Sequence, residues 1–338
     1  MKNDPRGHGG DGLGPVFNGQ SCVGCHNLGG PGGAGTVDRN IEIATATGPP
    51  GEGMGYFYSF SMDFGAGRFE YRLGGNPEGS SRRRTHADAT LPAGIHPGLR
   101  DSNSTVLHHY GTDPAYHAWR GSVPGRHGLI SIQSSERNAP ALFGAGRIDA
   151  IPDEAIEAAA KRKSPGAAQV KGRVSRLKDG RVGRFGWKGQ TATLEEFVRS
   201  AAAGEIGLEV PGRHQAADPR LPGLAAPGLD MDENECDALV EYVRSLPIPV
   251  AIRPADDKDS AQWKAGETTF KSIGCTACHM PKLGDVDGIY SDLLLHDMGP
   301  QLGDSDAYTV FVGEPSEADG LPVAGRVRNE TGTPSVRE

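Results

Sequence analysis

The chain has 338 residues, and its 50 Gly and 25 Pro fill more than a fifth of all positions, against a usual share of about 12%. Hydrophobic content of 36% and aromatic content of 6% are low, yet Gly plus Pro stay below the ~25–30% of disordered low-complexity chains. Composition therefore points to a folded chain with long irregular connections, in which a cofactor would supply part of the missing apolar core. A net charge of −8, with no basic stripe beyond the short loop run Arg82, Arg83 and Arg84, argues against nucleic acid as a partner.

In chain order, Met1 to His8 lacks the apolar core of a secretion signal, and no later run approaches the ~20 apolar residues of a membrane span. Leu13, Val16 and Phe17 predict a short helix ahead of Cys22-Val-Gly-Cys25-His26. A second helical pattern, Trp263, Phe270 and Ile273, precedes Cys275-Thr-Ala-Cys278-His279. Both pentapeptides are C-x-x-C-H, the attachment pattern of c-type haem. Two thiols three positions apart can form thioethers with the two vinyl groups on one haem edge, and the adjacent His then serves the iron as proximal ligand. With 5 Cys and 11 His in the whole chain, two copies exceed what chance placement supplies. A zinc ribbon would bring its two Cys pairs within about 15–20 residues of each other, and a redox dithiol needs no trailing His. The expectation is two covalently bound haem c groups, held by Cys22, Cys25 and His26 and by Cys275, Cys278 and His279.

Between the motifs, residues 28–123 look irregular. They open on Gly29-Gly30-Pro31-Gly32-Gly33 and hold one alternating stretch, Tyr56 to Phe60, so a large insertion with a few short strands is expected over about 30–130. His108, His109, His117 and His127 fall here, each a candidate distal ligand of the first haem. Pro152 at the first helical position, Asp153 and Glu154 after it and Lys161 to Lys163 at the far end predict a short helix that Pro165 stops. A hairpin follows over Val170 to Phe185, turning at Asp179-Gly180. Thr193 and Glu196 then form a capping box for a helix with a stripe of Leu194, Phe197, Val198, Ala201 and Ala202, ended by Gly204, so that Glu205 sits just past a helix end. Asp232 caps a helix to Leu246, with Glu235 at its third position and Pro247 as its stop. Cys236 shares the apolar face of that helix and reads as a buried, inert thiol.

Small c-type cytochromes place one helix before the haem and close with another packed across it. The expected fold is therefore mainly α: two cytochrome c-like haem domains with long irregular loops and a few short strands. Residues 1–250 form the first domain and 251–338 the second, joined through a linker at 251–256. No closing helix follows His279, so the second domain is expected to be incomplete in this chain. Met298, and after it His296, are the candidate sixth ligands of the second haem; a distal Met or His suits electron transfer and an open site suits chemistry.

Four segments, Gly12-Leu-Gly-Pro-Val-Phe-Asn18, Arg137-Asn-Ala-Pro-Ala-Leu-Phe-Gly-Ala-Gly-Arg-Ile-Asp149, Gly183-Arg-Phe-Gly-Trp-Lys188 and Tyr290-Ser-Asp-Leu-Leu-Leu-His-Asp-Met-Gly299, together with both C-x-x-C-H motifs, resemble the di-haem oxidoreductases of the bacterial di-haem cytochrome c peroxidase superfamily. The likeness covers most of the chain outside roughly residues 35–125. It implies one haem that splits peroxide and another that supplies electrons, taken from a small cytochrome or cupredoxin. In such peroxidases an Asn-(Thr or Ala)-Pro motif is followed by a tryptophan between the haems and then by a helix ending in a glutamate. Asn138-Ala-Pro140, Trp187 and Glu205-Ile206-Gly207 stand in that order here, so the likeness implies Trp187 as electron bridge and Glu205 as acid-base residue. It also implies a periplasmic location, with a leader not contained in this chain, and a C-terminal segment that this chain lacks. The leading expectation is a di-haem peroxidase-like enzyme that reduces hydrogen peroxide or oxidises a protein or thiol substrate. The alternative is a non-catalytic di-haem electron-transfer cytochrome.

Overall fold

A computed structural model describes residues 8–47, 59–63, 68–72, 92–99, 104–128, 130–163, 170–221, 223–298 and 336–337. Tyr56 to Tyr58 and Arg82 to Arg84 lie outside them. The helices are α1 (Cys22–Cys25), α2 (Pro92–Ile95), α3 (Tyr116–Ser122), α4 (Ala145–Asp149), α5 (Asp153–Lys161), α6 (Leu194–Glu205), α7 (Glu233–Ser245) and α8 (Asp257–Ser272). The strands are β1 (Val16–Phe17), β2 (Ile41–Thr47), β3 (Ser59–Asp63), β4 (Arg68–Arg72), β5 (Ser104–Val106), β6 (Tyr110–Gly111), β7 (Gly125–His127), β8 (Ile130–Arg137), β9 (Gly172–Arg173), β10 (Lys282–Leu283), β11 (Val286–Asp287), β12 (Leu295–His296) and β13 (Val336–Arg337).

The fold is thus mixed α and β, and the expectation of a mainly α, cytochrome c-like chain is overturned. The largest departure lies in the segment expected to be irregular, which builds a four-stranded antiparallel sheet in the order β5-β2-β8-β7. Its longest ladder pairs Ile41 to Thr47 with Arg137 to Ser131 over seven residues. Ile41, Ile43, Thr45 and Thr47 are β-branched residues at period two, a strand pattern that the surrounding Gly and Pro obscure. Under the sheet, Ala44, Ile95, Leu99, Leu107, Val123 and Ile132 form a core of their own.

The expected helix at Leu13 to Phe17 is instead strand β1, paired with β6 through Val16–Gly111 and Phe17–Tyr110. Close backbone approach explains the change. The Gly14 N–H donates to the Gly207 carbonyl at 2.8 Å, and a Cβ on Gly14 would lie 2.6 Å from that oxygen. The Asp179-Gly180 turn forms, with Gly180 at φ +88°, and the Leu177 N–H donates to the Arg181 carbonyl. The hairpin continues through the Arg176–Val182 bridge to the Gly183 N–H, which donates to the Ser175 carbonyl at 2.9 Å, and ends there, because Gly172–Arg173 pairs with β12 and Phe185 with Thr191.

The helix caps follow the sequence closely. Asp232 accepts from the Glu235 N–H and Glu235 returns the bond to the Asp232 N–H, a complete capping box on α7. On α6, Thr193 accepts from the Glu196 N–H, whereas the Glu196 carboxylate reaches Ala192. Two ends differ in detail. Pro152 is the N-cap of α5 rather than its first residue, and Gly204 lies inside α6, so Glu205 is the last helical residue.

Helices α4, α6 and α7 pack around Ala145, Phe185, Leu194, Val198, Val240 and Val243, and Cys236 is buried between α6 and α7 as expected. A second cluster joins Ile151, Ile156 and Val182 to Leu283, Val286, Leu293 and Leu294, so residues on both sides of 251–256 share one core. Helix α8 forms as expected yet buries no residue; Trp263 is 42% and Ile273 70% exposed.

Gly146 marks a tight crossing of α4 and α7, because a Cβ there would meet the Arg244 carbonyl of α7, whereas Gly121 in α3 faces open space. Gly146→Ala is expected to destabilise the fold by about 1–3 kcal/mol through overpacking. Gly121→Ala is expected to be neutral or stabilising by up to about 1 kcal/mol. Urea denaturation of the two variants checks both.

Candidate functional site

Helix α1 is a single turn carrying the first C-x-x-C-H motif. The His26 N–H donates to the Cys22 carbonyl at 2.9 Å and closes that turn. The loop after it folds back: Gly29, Gly30 and Gly32 adopt positive φ, and a Cβ on Gly33 would collide with the Leu28 carbonyl. This return brings the Gly33 carbonyl to 3.2 Å from His26 Nδ1. A carbonyl only accepts, so Nδ1 carries the proton and Nε2 keeps its lone pair, the tautomer of a metal-ligating histidine. Burial holds the His26 pKa below its usual value, favouring the neutral ring, and also raises those of the Cys22 and Cys25 thiols.

The second motif repeats this arrangement. Cys275–Ala277 form a 3-10 turn after Gly274 at φ +92°, and the half-buried His279 points Nδ1 at the Tyr290 carbonyl, 3.2 Å away. Arg162 anchors the turn from the end of α5 by donating to the Thr276 and Ala277 carbonyls. His296 is buried beside it: its Nε2 meets Asp292 Oδ2 at 2.9 Å, and its Nδ1 lies 3.7 Å from Cys278 Sγ. Met298 is 40% exposed.

A cleft of about 620 Å³ opens at the first motif, and Cys22, Cys25, His26, Trp187 and Glu205 all line it. These residues span 183 positions of sequence from Cys22 to Glu205. Apolar side chains such as Ile41, Leu142, Phe197 and Val243 make much of the remaining wall. Trp187 is carried by a tight turn with Gly186 at φ +74° and Lys188 at φ +60°. The Arg137 guanidinium lies over its ring, 4.3 Å from the centroid, and the Trp187 Nε1 is buried with no hydrogen-bond partner among the described residues. Glu205 is buried at the end of α6. Asn18 Nδ2 donates to its Oε2 at 2.7 Å, while its Oε1 is buried without a partner among the described residues. Burial pushes the Glu205 pKa up to about 7, against the lowering effect of the Asn18 hydrogen bond.

These residues fit a covalently attached haem. Two thiols and an imidazole of the right tautomer share the wall of a mostly apolar cleft whose size falls in the ~300–1,000 Å³ range of cofactor sites. Orphaned polar atoms on Trp187 and Glu205 leave groups to be met by whatever occupies it.

None of the four candidate distal histidines lines the cleft. His108 is buried and donates from Nε2 to the Gly204 carbonyl at 2.9 Å. His127 donates to the Val123 carbonyl, His117 stands edge-on to Tyr116, and the His109 backbone N–H donates to Asn18 Oδ1. The sequence by itself assigns no role to Asn18 or Arg137. Their only signal is membership of the Gly12 to Asn18 and Arg137 to Asp149 segments. Away from the cleft, His8 lies 3.2 Å from Glu235 and 4.0 Å from Asp232, but both carboxylates already cap α7.

Comparison with models of known families, with curated proteins and with solved structures returned no match. Among the described residues no helix is long and apolar enough to cross a membrane.

Glu205 makes stability depend on pH. Its pKa is about 7 when folded against 4.5 as the ordinary value, so the folded state binds more protons between these limits. The contribution is fully present below about pH 4.5 and is lost as pH rises through 7. The loss is expected to be on the order of 3 kcal/mol. Denaturant midpoints at pH 5 and pH 8 should differ in this sense, and Glu205→Gln should flatten the difference.

Proposed function

We propose that this chain is a di-haem c-type oxidoreductase with peroxidase-like chemistry in the Trp187/Glu205 cleft, acting outside the cytoplasm and exchanging electrons with a small donor protein. The observation that supports this most is the meeting of the first C-x-x-C-H motif, Trp187 and a buried Glu205 around one cleft, from segments far apart in sequence. Cys22 and Cys25 would hold one haem through thioethers and His26 would ligate it through Nε2; Cys275, Cys278 and His279 would hold the other. When bound, the haems supply redox-active iron for a two-electron reduction that consumes hydrogen peroxide and two protons and yields two waters.

The protein's own part is proton handling and exclusion of solvent. A carboxyl poised near neutral pH can take a proton from peroxide and return it to the departing hydroxide, a role worth about 10²–10⁴ in rate. Asn18 keeps the carboxyl in place, and the apolar wall limits competing water. The Arg137 cation over Trp187 disfavours removal of an electron from the ring, so Trp187 serves as a bridge that does not rest oxidised.

Expression with haem c maturation should give two covalent haems per chain by the pyridine haemochrome assay. A Cys22→Ala, Cys25→Ala double variant should retain one. A high-spin haem that reacts with hydrogen peroxide supports the enzyme, and Glu205→Gln should lower turnover about 10²–10⁴-fold with both haem spectra intact. Two low-spin haems inert to peroxide in both oxidation states would leave the electron-transfer cytochrome as the reading.

A further inference from the structure

Glu205 has two carboxyl oxygens, and only one faces a donor. Asn18 supplies it. Asn18 is 4% exposed, and its side-chain and backbone groups are engaged on both sides. Its Oδ1 accepts from the His109 backbone N–H at 2.9 Å, its Nδ2 donates to Glu205 Oε2 at 2.7 Å, and its backbone N–H donates to the Glu205 carbonyl at 2.7 Å. An amide side chain can in principle sit either way round. A backbone N–H can only donate, so the atom beside His109 must be the carbonyl oxygen and the atom facing Glu205 must be the NH2. An oxygen that already accepts from an NH2 is a poor site for a proton. The other oxygen, Oε1, is buried with no partner among the described residues.

We infer that Asn18 is a positioning residue that directs the proton of Glu205 to Oε1, and that the His108–His109 corner after β5 enables this by locking the Asn18 amide. The segment expected to be an irregular insertion therefore takes part in the site, through hydrogen bonds to Asn18 and Gly204. His108 reinforces the corner, because its Nε2–H donates to the carbonyl of Gly204, next to Glu205. The functional meaning rests on the role proposed for Glu205; the hydrogen-bond geometry does not. The titratable groups around Glu205 are Cys25, whose thiol it influences through space, the engaged His108, the half-buried His109, and Glu136 and Arg137, which also line the cleft.

Infrared titration of the full-length chain reads the carboxyl directly, with Glu205→Gln identifying its band. Asn18→Leu removes the donor from the charged form and should raise the midpoint by about one pH unit or more, a tenfold gain in proton affinity. Asn18→Asp is nearly isosteric and still accepts from His109, but it turns an oxygen toward Oε2. The two carboxyls should then share one proton, moving the band to the lower frequency of a strongly hydrogen-bonded acid. The pH profile of the peroxide reaction should move in step. If Asn18→Leu does not fold, Asn18→Asp decides alone. An unchanged band and midpoint in a variant shown by circular dichroism to be folded overturns the proposal. The expected infrared shifts in a haem-loaded protein inert to peroxide would uphold the positioning of the proton and overturn only the catalytic role of Glu205.

Discussion

The last four carbonyls of α6 cannot be satisfied within the helix, and the cleft is shaped by the segments that come to meet them. Ala202 accepts from the Leu208 N–H and Ala203 from the Ala216 N–H. Gly204 accepts from the His108 ring, and Glu205 from the Asn18 N–H. The first two bonds turn the chain back on itself after the helix. The other two recruit segments more than 90 residues away, and those segments carry α1 and the four-stranded sheet. A requirement common to every helix end has become the joint that holds a buried carboxyl beside a cysteine pair.

That joint depends on residues without side chains. Gly14 and Gly207 lie close enough that a Cβ on either would approach the other's backbone to within 3.1 Å. Gly33 lets the loop after His26 close so that a carbonyl reaches its imidazole. The abundance of Gly, which by composition alone suggests loose connections, is spent in part on approaches that a larger residue would block. The same economy appears at the second motif, where a positive-φ Gly274 starts the turn that carries Cys275 and Cys278.

Electrostatics separates the two sides of the cleft. Glu205 is deprived of water and has one neutral donor, so its proton affinity rises toward neutrality. Trp187 instead faces a guanidinium, an environment that stabilises the neutral ring. One wall thus favours a protonated carboxyl near neutral pH and the other a neutral indole, the division on which the proposed chemistry rests.

From the sequence alone, both cysteine motifs, the N-terminal caps of α6 and α7, the turn at Asp179-Gly180 and the burial of Cys236 were legible, because each depends on residues within about one helical turn of one another. The four-stranded sheet was not, since its strands pair Ile41 with Arg137 and Ile43 with Val106, and no local signal specifies partners so distant. The expected helix over Leu13 to Phe17 failed for the same reason: contacts to Gly207 and Tyr110 outweigh local periodicity. Trp187 and Glu205 could be singled out only by likeness to a family. Tertiary structure decided that they share a wall with Cys22, Cys25 and His26, and it brought in Asn18, whose role depends on a backbone N–H donated from 91 residues away. Sequence determined which groups could do chemistry; the meeting of helix-end carbonyls with remote donors decided which of them stand together.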